Sequence, residues 1–172
     1  MSQFVRPFNE DGLTFIREAA DSVLAASRNG ECAIIPAKKR GSRPAMPVAP
    51  EPERVPLPPT ISHFVMNLPA SAITFLGGYR GVYSGSEALF TPTTGTKLPL
   101  VHVHCFALKS DDSVPLLDIC ERISKELGVA MKPGDPEVEG EVAIHDVRDV
   151  APAKRMFCAT FRLPTEVAFA SR

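Results

Sequence analysis

Ile61-Ser62-His63-Phe64-Val65-Met66-Asn67-Leu68-Pro69 decides how this 172-residue chain is read. Ile61 to Met66 is an almost continuous apolar run, the pattern of a strand buried on both faces of a sheet, and such strands occur where helices cover both sides. The run ends in Asn67-Leu68-Pro69, and Pro69 can open a helix that uses Ala70, Ala72, Ile73, Phe75 and Leu76 and stops near Gly77-Gly78. A buried strand that delivers directly into a helix is the building unit of an α/β domain.

The flanking segments repeat that unit. Upstream, Phe4-Val5-Arg6-Pro7-Phe8 reads as a short strand, with Pro7 marking an edge or the end of pairing. A helix follows, with Asn9 or Asp11 to cap it, Leu13, Ile16, Ala19, Ala20, Val23 and Leu24 at helical spacing, and Asn29-Gly30 as its stop. Downstream, Leu98 to Phe106 is a second apolar strand. Asp112 or Ser113 then caps a helix through Leu127, with Gly128 as its stop and Leu116, Ile119, Cys120, Ile123 and Leu127 as its buried stripe. Glu141 to Val150 and Arg155 to Leu163 close the chain as an antiparallel hairpin, in which Phe157, Ala159, Phe161 and Leu163 alternate with Met156, Cys158, Thr160 and Arg162. The expected architecture is a doubly wound α/β sheet with an antiparallel edge.

Pro36 to Pro59 interrupts this order. It holds eight of the chain's 17 prolines, mixed with Lys38, Lys39, Arg40, Arg43, Glu51 and Glu53, and shows no apolar period, so it is expected to be a disordered or loosely attached insertion. The Lys38-Lys39-Arg40 run fits a solvated linker, or a contact to RNA or an address signal.

Composition bounds the rest. With 44% hydrophobic and 23% charged residues the chain suits one globular domain, and a net charge of -1 argues against a general nucleic-acid binder while allowing a local basic patch. No apolar run reaches the roughly 18 residues of a membrane span. The N-terminus lacks the basic-then-apolar order of a signal peptide. Cys32, Cys105, Cys120 and Cys158 form no C-x-x-C pair and read as reduced thiols, three of them in apolar segments.

In open α/β sheets ligands bind beyond the carboxyl ends of the strands. Two places qualify. Asp11-Gly12 follows the first strand, where a carboxylate can accept from an exocyclic amine and a glycine lets backbone approach closely; equally, Asp11 can simply cap the helix. Asn67-Leu68-Pro69 follows the most apolar strand, and its amide can grip a planar nitrogen heterocycle edge-on or satisfy backbone groups of the turn. His102 and His104 share a strand face beside Cys105, but neither His63 nor His145 has a spacing that predicts convergence, so no metal site is expected. No G-x-S-x-G elbow supports a hydrolase. The glycine-rich turn and acidic residue that hold a nucleotide-type cofactor are not found, for no G-x-G occurs anywhere.

Three motifs in order, Phe8-Asn9-Glu10-Asp11-Gly12, Ser62-His63-Phe64-Val65-Met66-Asn67-Leu68-Pro69-Ala70-Ser71-Ala72 and Val147-Arg148-Asp149-Val150-Ala151-Pro152, carry a resemblance. With the linking segment Pro99 to Phe106, they closely resemble the C-terminal part of the catalytic domain of the eukaryotic and archaeal tRNA (guanine-37 N1)-methyltransferases. The resemblance implies a Rossmann-like sheet, S-adenosylmethionine as cofactor, tRNA as partner, and methyl transfer to N1 of the guanosine beside the anticodon. It implies that Asp11 and Gly12 meet the adenine, that Asn67 lies beside the methyl donor, and that Asn67 and Pro69 meet the target guanine. It further implies the cytoplasm, nucleus and mitochondrial matrix as compartments.

The family's general base and key arginine lie upstream of the matched region, so no catalytic residue is assigned. The family's first two strands, its methionine-binding loop, its ribose-binding acid and its tRNA-recognition domains have no counterpart here. The expectation is a fragment, inactive alone, with unpaired strand edges and exposed apolar faces. Two other readings stand beside it: the related aminocarboxypropyl transferases of wybutosine synthesis, and a non-catalytic RNA-binding or scaffold derivative.

Overall fold

The computed structural model describes residues 5–36, 51–108 and 113–171. Its first element is helix α1 (Gly12–Arg28), which begins where Asp11 Oδ1 accepts from the backbone N–H of Leu13 (3.0 Å) and Thr14 (3.2 Å). The helix gives way to Asn29 and to Gly30, whose positive φ of 69° suits glycine. Ile16, Ala19, Ala20 and Ala26 are its buried face.

Two short strands follow, β1 (Cys32–Ile35) and β2 (Glu53–Pro56), paired antiparallel in a sheet of their own. They are tied to α1 through Leu57 N–H to Glu31 O (3.1 Å) and Ser27 Oγ–H to Leu57 O (2.8 Å). This corrects the expectation for Pro36 to Pro59 at its C-terminal end. Backbone pairing needs no apolar period, so composition did not reveal β2; residues 37–50 lie outside the described residues.

Among the described residues the main sheet has five strands, in the order β3-β4-β7-β6-β5. They are β3 (His63–Met66), β4 (Leu100–Leu108), β5 (Lys132–Pro133), β6 (Glu141–Ala151) and β7 (Lys154–Arg162), with helix α2 (Val114–Leu127) between β4 and β5 and the short α3 (Thr165–Ala168) at the end. β3 runs parallel to β4, whereas β4–β7 and β7–β6 are antiparallel. The chain is thus α/β with a mixed sheet.

One face of that sheet is the core. Val101, Val103 and Cys105 are fully buried beside Phe161, Ala159 and Phe157 of β7. A 3-10 helix over Ala72–Tyr79 and α2 pack against this face, through Ile73, Leu76 and Tyr79 of the first and Ile119 and Ile123 of the second. Each such fully buried aliphatic side chain contributes about 1.5–3 kcal/mol over its exposed state. Gly128 ends α2 at φ 74°, as its place in the sequence requires.

Several expectations meet the structure differently. Residues 5–9 form no strand: a strand persists only beside a hydrogen-bonded neighbour, no described strand lies alongside, and Val5 and Phe8 stand more than half exposed. Phe8 instead packs on Phe15, ring centroids 5.2 Å apart. Among the described residues the element order therefore opens on a helix. β3 is not a strand buried on both faces but the edge of the sheet, with Phe64 buried and Val65 68% exposed. The segment after Pro69 is a 3-10 helix, Ala72–Tyr79, which ends one residue past Gly77-Gly78, near the expected stop. Gly78 is needed inside it, because a Cβ there would sit 3.2 Å from Leu13 Cδ2 and 3.4 Å from Ile16 Cγ2; the glycine lets α1 dock.

Candidate functional site

Asn67, Leu68 and Pro69 carry the chain off the carboxyl end of β3. The turn is closed by backbone alone: Leu68 O accepts from Ser71 N–H (2.9 Å) and Ala72 N–H (2.7 Å), and Pro69 O accepts from Phe106 N–H on β4 (3.3 Å). Asn67 is exposed, and among the described residues no side-chain hydrogen bond engages its amide. The turn therefore does not use the one polar side chain best placed to brace it. Asn67 keeps a donor and an acceptor free where a ligand of an α/β sheet would sit.

Asp11 is engaged differently. Its Oδ1 takes both capping hydrogen bonds, so the helix-capping alternative is realised in the structure. Gly12 lies against the 3-10 helix that follows Pro69, for a Cβ on it would come 3.2 Å from Phe75 Cε1. Gly12 thus leaves room for the Phe75 ring, which stands on the helix that follows the Asn67-Leu68-Pro69 turn.

Beside them opens a groove of about 670 Å³ between α1, the β1–β2 pair and the edge strand β3. Phe8, Phe15, Val23, Ile61, Phe64 and Val65 make it largely apolar, and Asp11, Gly12, Asn67 and Pro69 are not part of its lining. Leu100 N–H donates to Ser62 O, so Ser62, Phe64 and Met66 turn their backbone groups toward β4. By the alternation of a parallel ladder, His63 and Val65 turn theirs outward from the sheet edge.

Sequence reasoning missed one association. Parallel pairing of β3 with β4 brings His63 Nδ1 to 3.0 Å from His102 Nε2, and His102 Nδ1 lies 2.9 Å from Thr160 Oγ1 on β7. Only knowledge of the register could have found it, since the two histidines are 39 residues apart. Burial lowers the His102 pKa, and the neighbouring His63 and His104 lower it further. Among the described residues no group of three or more His, Cys, Asp or Glu is placed to hold a metal ion.

The remaining motif residues stand on the β6–β7 hairpin. Asp149 and Asp146 both pair with Arg155, at 2.7 and 3.1 Å, and Lys154 lies over the Phe106 ring, 4.1 Å from its centroid. All four cysteines are free thiols; Cys32 is exposed, while burial pushes Cys105 and Cys120 up to about 11. No described helix is long and apolar enough to cross a membrane.

The arrangement is an α/β domain with a mixed sheet, an unengaged amide at a strand end and an open groove at the sheet edge. Relatives specify it further. The chain is 68% identical to a tRNA (guanine(37)-N(1))-methyltransferase of Neurospora crassa over 172 residues, covering 100% of this chain and 36% of the relative. A protein of the same name from Fusarium vanettenii is 68% identical over 170 residues, 99% of this chain and 36% of its own length. That of Schizosaccharomyces pombe is 40% identical over 171 residues, again 99% and 36%. No family model matches the chain, and no solved structure matches it. The likeness to these proteins runs along essentially the whole of this chain. The chain spans about a third of the length of the curated relatives it matches.

Proposed function

We propose that this chain is one part of an S-adenosylmethionine-dependent methyltransferase acting on N1 of guanosine 37 of tRNA, with a Rossmann-like sheet completed by the parts that the relatives carry in addition. The relatives' shared name supports the reaction. The single observation that carries the site is the free Asn67 amide at the end of β3. An amide there donates through Nδ2 to a guanine carbonyl and accepts through Oδ1, which orients a planar base for in-line attack. The remaining oxygen of Asp11 can accept from an adenine amine close to Gly12.

The cofactor supplies an electrophilic methyl group when bound. The residues of this chain fit only its adenine and methyl ends. Ribose and methionine lack partners, since the sequence holds no G-x-G turn. Proton removal from guanine N1 likewise has no candidate base in this chain. Alone, therefore, the chain binds the cofactor weakly at most and transfers no methyl group. The family's compartments, the cytoplasm, nucleus and mitochondrial matrix, belong to the same proposal and are open to test by cell fractionation.

The test is a chimera in which this chain replaces the matched third of the Neurospora crassa relative. The chimera should methylate tRNA at guanosine 37, and product mass separates a methyl from an aminocarboxypropyl group. An inert but folded chimera sinks the proposal. For the isolated chain, calorimetry with S-adenosylmethionine that gave a dissociation constant in the low micromolar range, about -8 kcal/mol, would show that the pocket is complete without the rest.

A further inference from the structure

β3 is a four-residue edge strand, and the side chains that fasten it to the sheet can be named. On the core side Phe64 packs edge-on against Tyr79, ring centroids 4.9 Å apart, and Tyr79 Oη–H reaches Met66 Sδ at 3.4 Å. Just before the strand, Ile61 N–H donates to Tyr83 Oη at 3.2 Å. On the opposite face the fastening is the imidazole pair. The His63 and His102 rings have planes 20° apart and centroids 5.3 Å apart, with Nδ1 to Nε2 at 3.0 Å.

At that separation one proton lies between the two nitrogens, so one ring donates and the other accepts. Thr160 holds His102 from its far nitrogen, fixing the ring in place. We infer that the His63–His102 pair is an acid-sensitive latch that holds the edge strand, and with it the wall of the groove, to the rest of the sheet. When both rings are protonated, two N–H groups and two positive charges face each other at hydrogen-bond distance, and the pair must part. His63 lines the groove, so the wall that moves is the wall beside the candidate site.

Other charges bear on the pair. From β4, His104 stands on the same face two residues on, with Nδ1 buried and unpartnered. From β7 come Cys158 and Arg162, the latter already bonded to Leu98 O and Glu137. His145 of β6 stands opposite Cys158. Across the groove Arg6, Glu10, Glu18 and Cys32 line the same space as His63, and Arg6 is paired with Glu31. Of these groups, His104 opposes the protonation of His102.

The sign follows from the lowered pKa of His102. A histidine that ionises less readily folded than unfolded lends stability above the ordinary value of about 6.5, and that stability is lost as pH falls from this value through the lower one of the folded state.

Amide hydrogen exchange on the full chain tests the latch, read as protection factors so that the intrinsic pH dependence of exchange is removed. The Phe64 and Met66 amides, which face β4, should lose about tenfold in protection between about pH 7.5 and about pH 5.5. In His63→Gln, whose side chain is exposed and cannot take a second proton, the loss should shrink to within about twofold. Histidine NMR titration gives an independent reading: His102 should protonate at higher pH in His63→Gln than in the parent. Equal protection losses in the two proteins, or an unmoved His102 titration, overturn the latch. Neither outcome depends on methyl transfer.

Discussion

Asn67→Ala separates a residue of the site from a residue of the turn, because the structure assigns the amide no structural work. Every hydrogen bond that closes the Asn67-Leu68-Pro69 turn is made by backbone, and the side chain is exposed. Truncation at an exposed position without side-chain partners changes stability by within about 0.5 kcal/mol. An Asn that braced the turn would instead cost about 0.5–1.5 kcal/mol for each hydrogen bond lost. The prediction for the isolated chain is therefore an unchanged urea midpoint. In the Neurospora crassa chimera the same substitution removes a group proposed to touch the reacting base, which should cost about 2–4 kcal/mol in the transition state. That is a loss of roughly thirty- to a thousandfold in single-turnover methylation, with tRNA affinity, which comes mostly from phosphate contacts, nearly unchanged. Methylation above about half the parental rate, or a clear fall in the unfolding midpoint, would refute the reasoning from opposite sides.

Gly78→Val should destabilise the chain by about 1–3 kcal/mol in urea unfolding at constant slope, since even one added carbon meets Leu13 and Ile16. Gly77→Ala, whose Cβ would come no nearer than 3.7 Å to Glu126 O, should be neutral or stabilising by up to about 1 kcal/mol; equal losses at both glycines would disprove the docking role of Gly78. Of the thiols, Cys32 should react promptly with a disulfide reagent near neutral pH, whereas Cys105 and Cys120, buried and pushed up to about 11, should stay unlabelled until the chain unfolds. Labelling of all of them at one rate would contradict the core as described.

Legibility followed the amount of pairing that each segment could find within the chain. α1, β4, α2 and the β6–β7 hairpin were readable because each buries an apolar stripe against elements that are present: Val101 and Val103 against Phe161 and Ala159, and Ile119 and Ile123 against the sheet. β1 and β2 were not, since backbone hydrogen bonds hold them and three of their eight residues, Glu53, Arg54 and Pro56, give no apolar signal. The His63–His102 contact is a product of register, which no local pattern encodes. For the candidate site, Asn67 was legible as the polar residue that ends an apolar run. Asp11 remained divided between capping and binding because one carboxylate chemistry serves both.

The misread apolar segments have a common location. Phe8, expected in a strand, and Val65, expected inside a sheet, are 51% and 68% exposed, and both line the groove. A run such as Ile61 to Met66 records the burial for which a sequence was selected, and here only half of it is realised: Phe64 meets Tyr79, while Val65 meets solvent with its backbone groups turned outward. Leaving such an edge open is costly in aggregation, and soluble domains protect edges by pairing, covering or charging them. None of these protections lies at Val65 among the described residues, although relatives 68% identical are nearly three times as long. The sequence reading and the structure therefore diverge where the proposed function requires further polypeptide. The same divergence predicts that the chimera will shield Val65, so that its amide exchanges more slowly there than in the isolated chain.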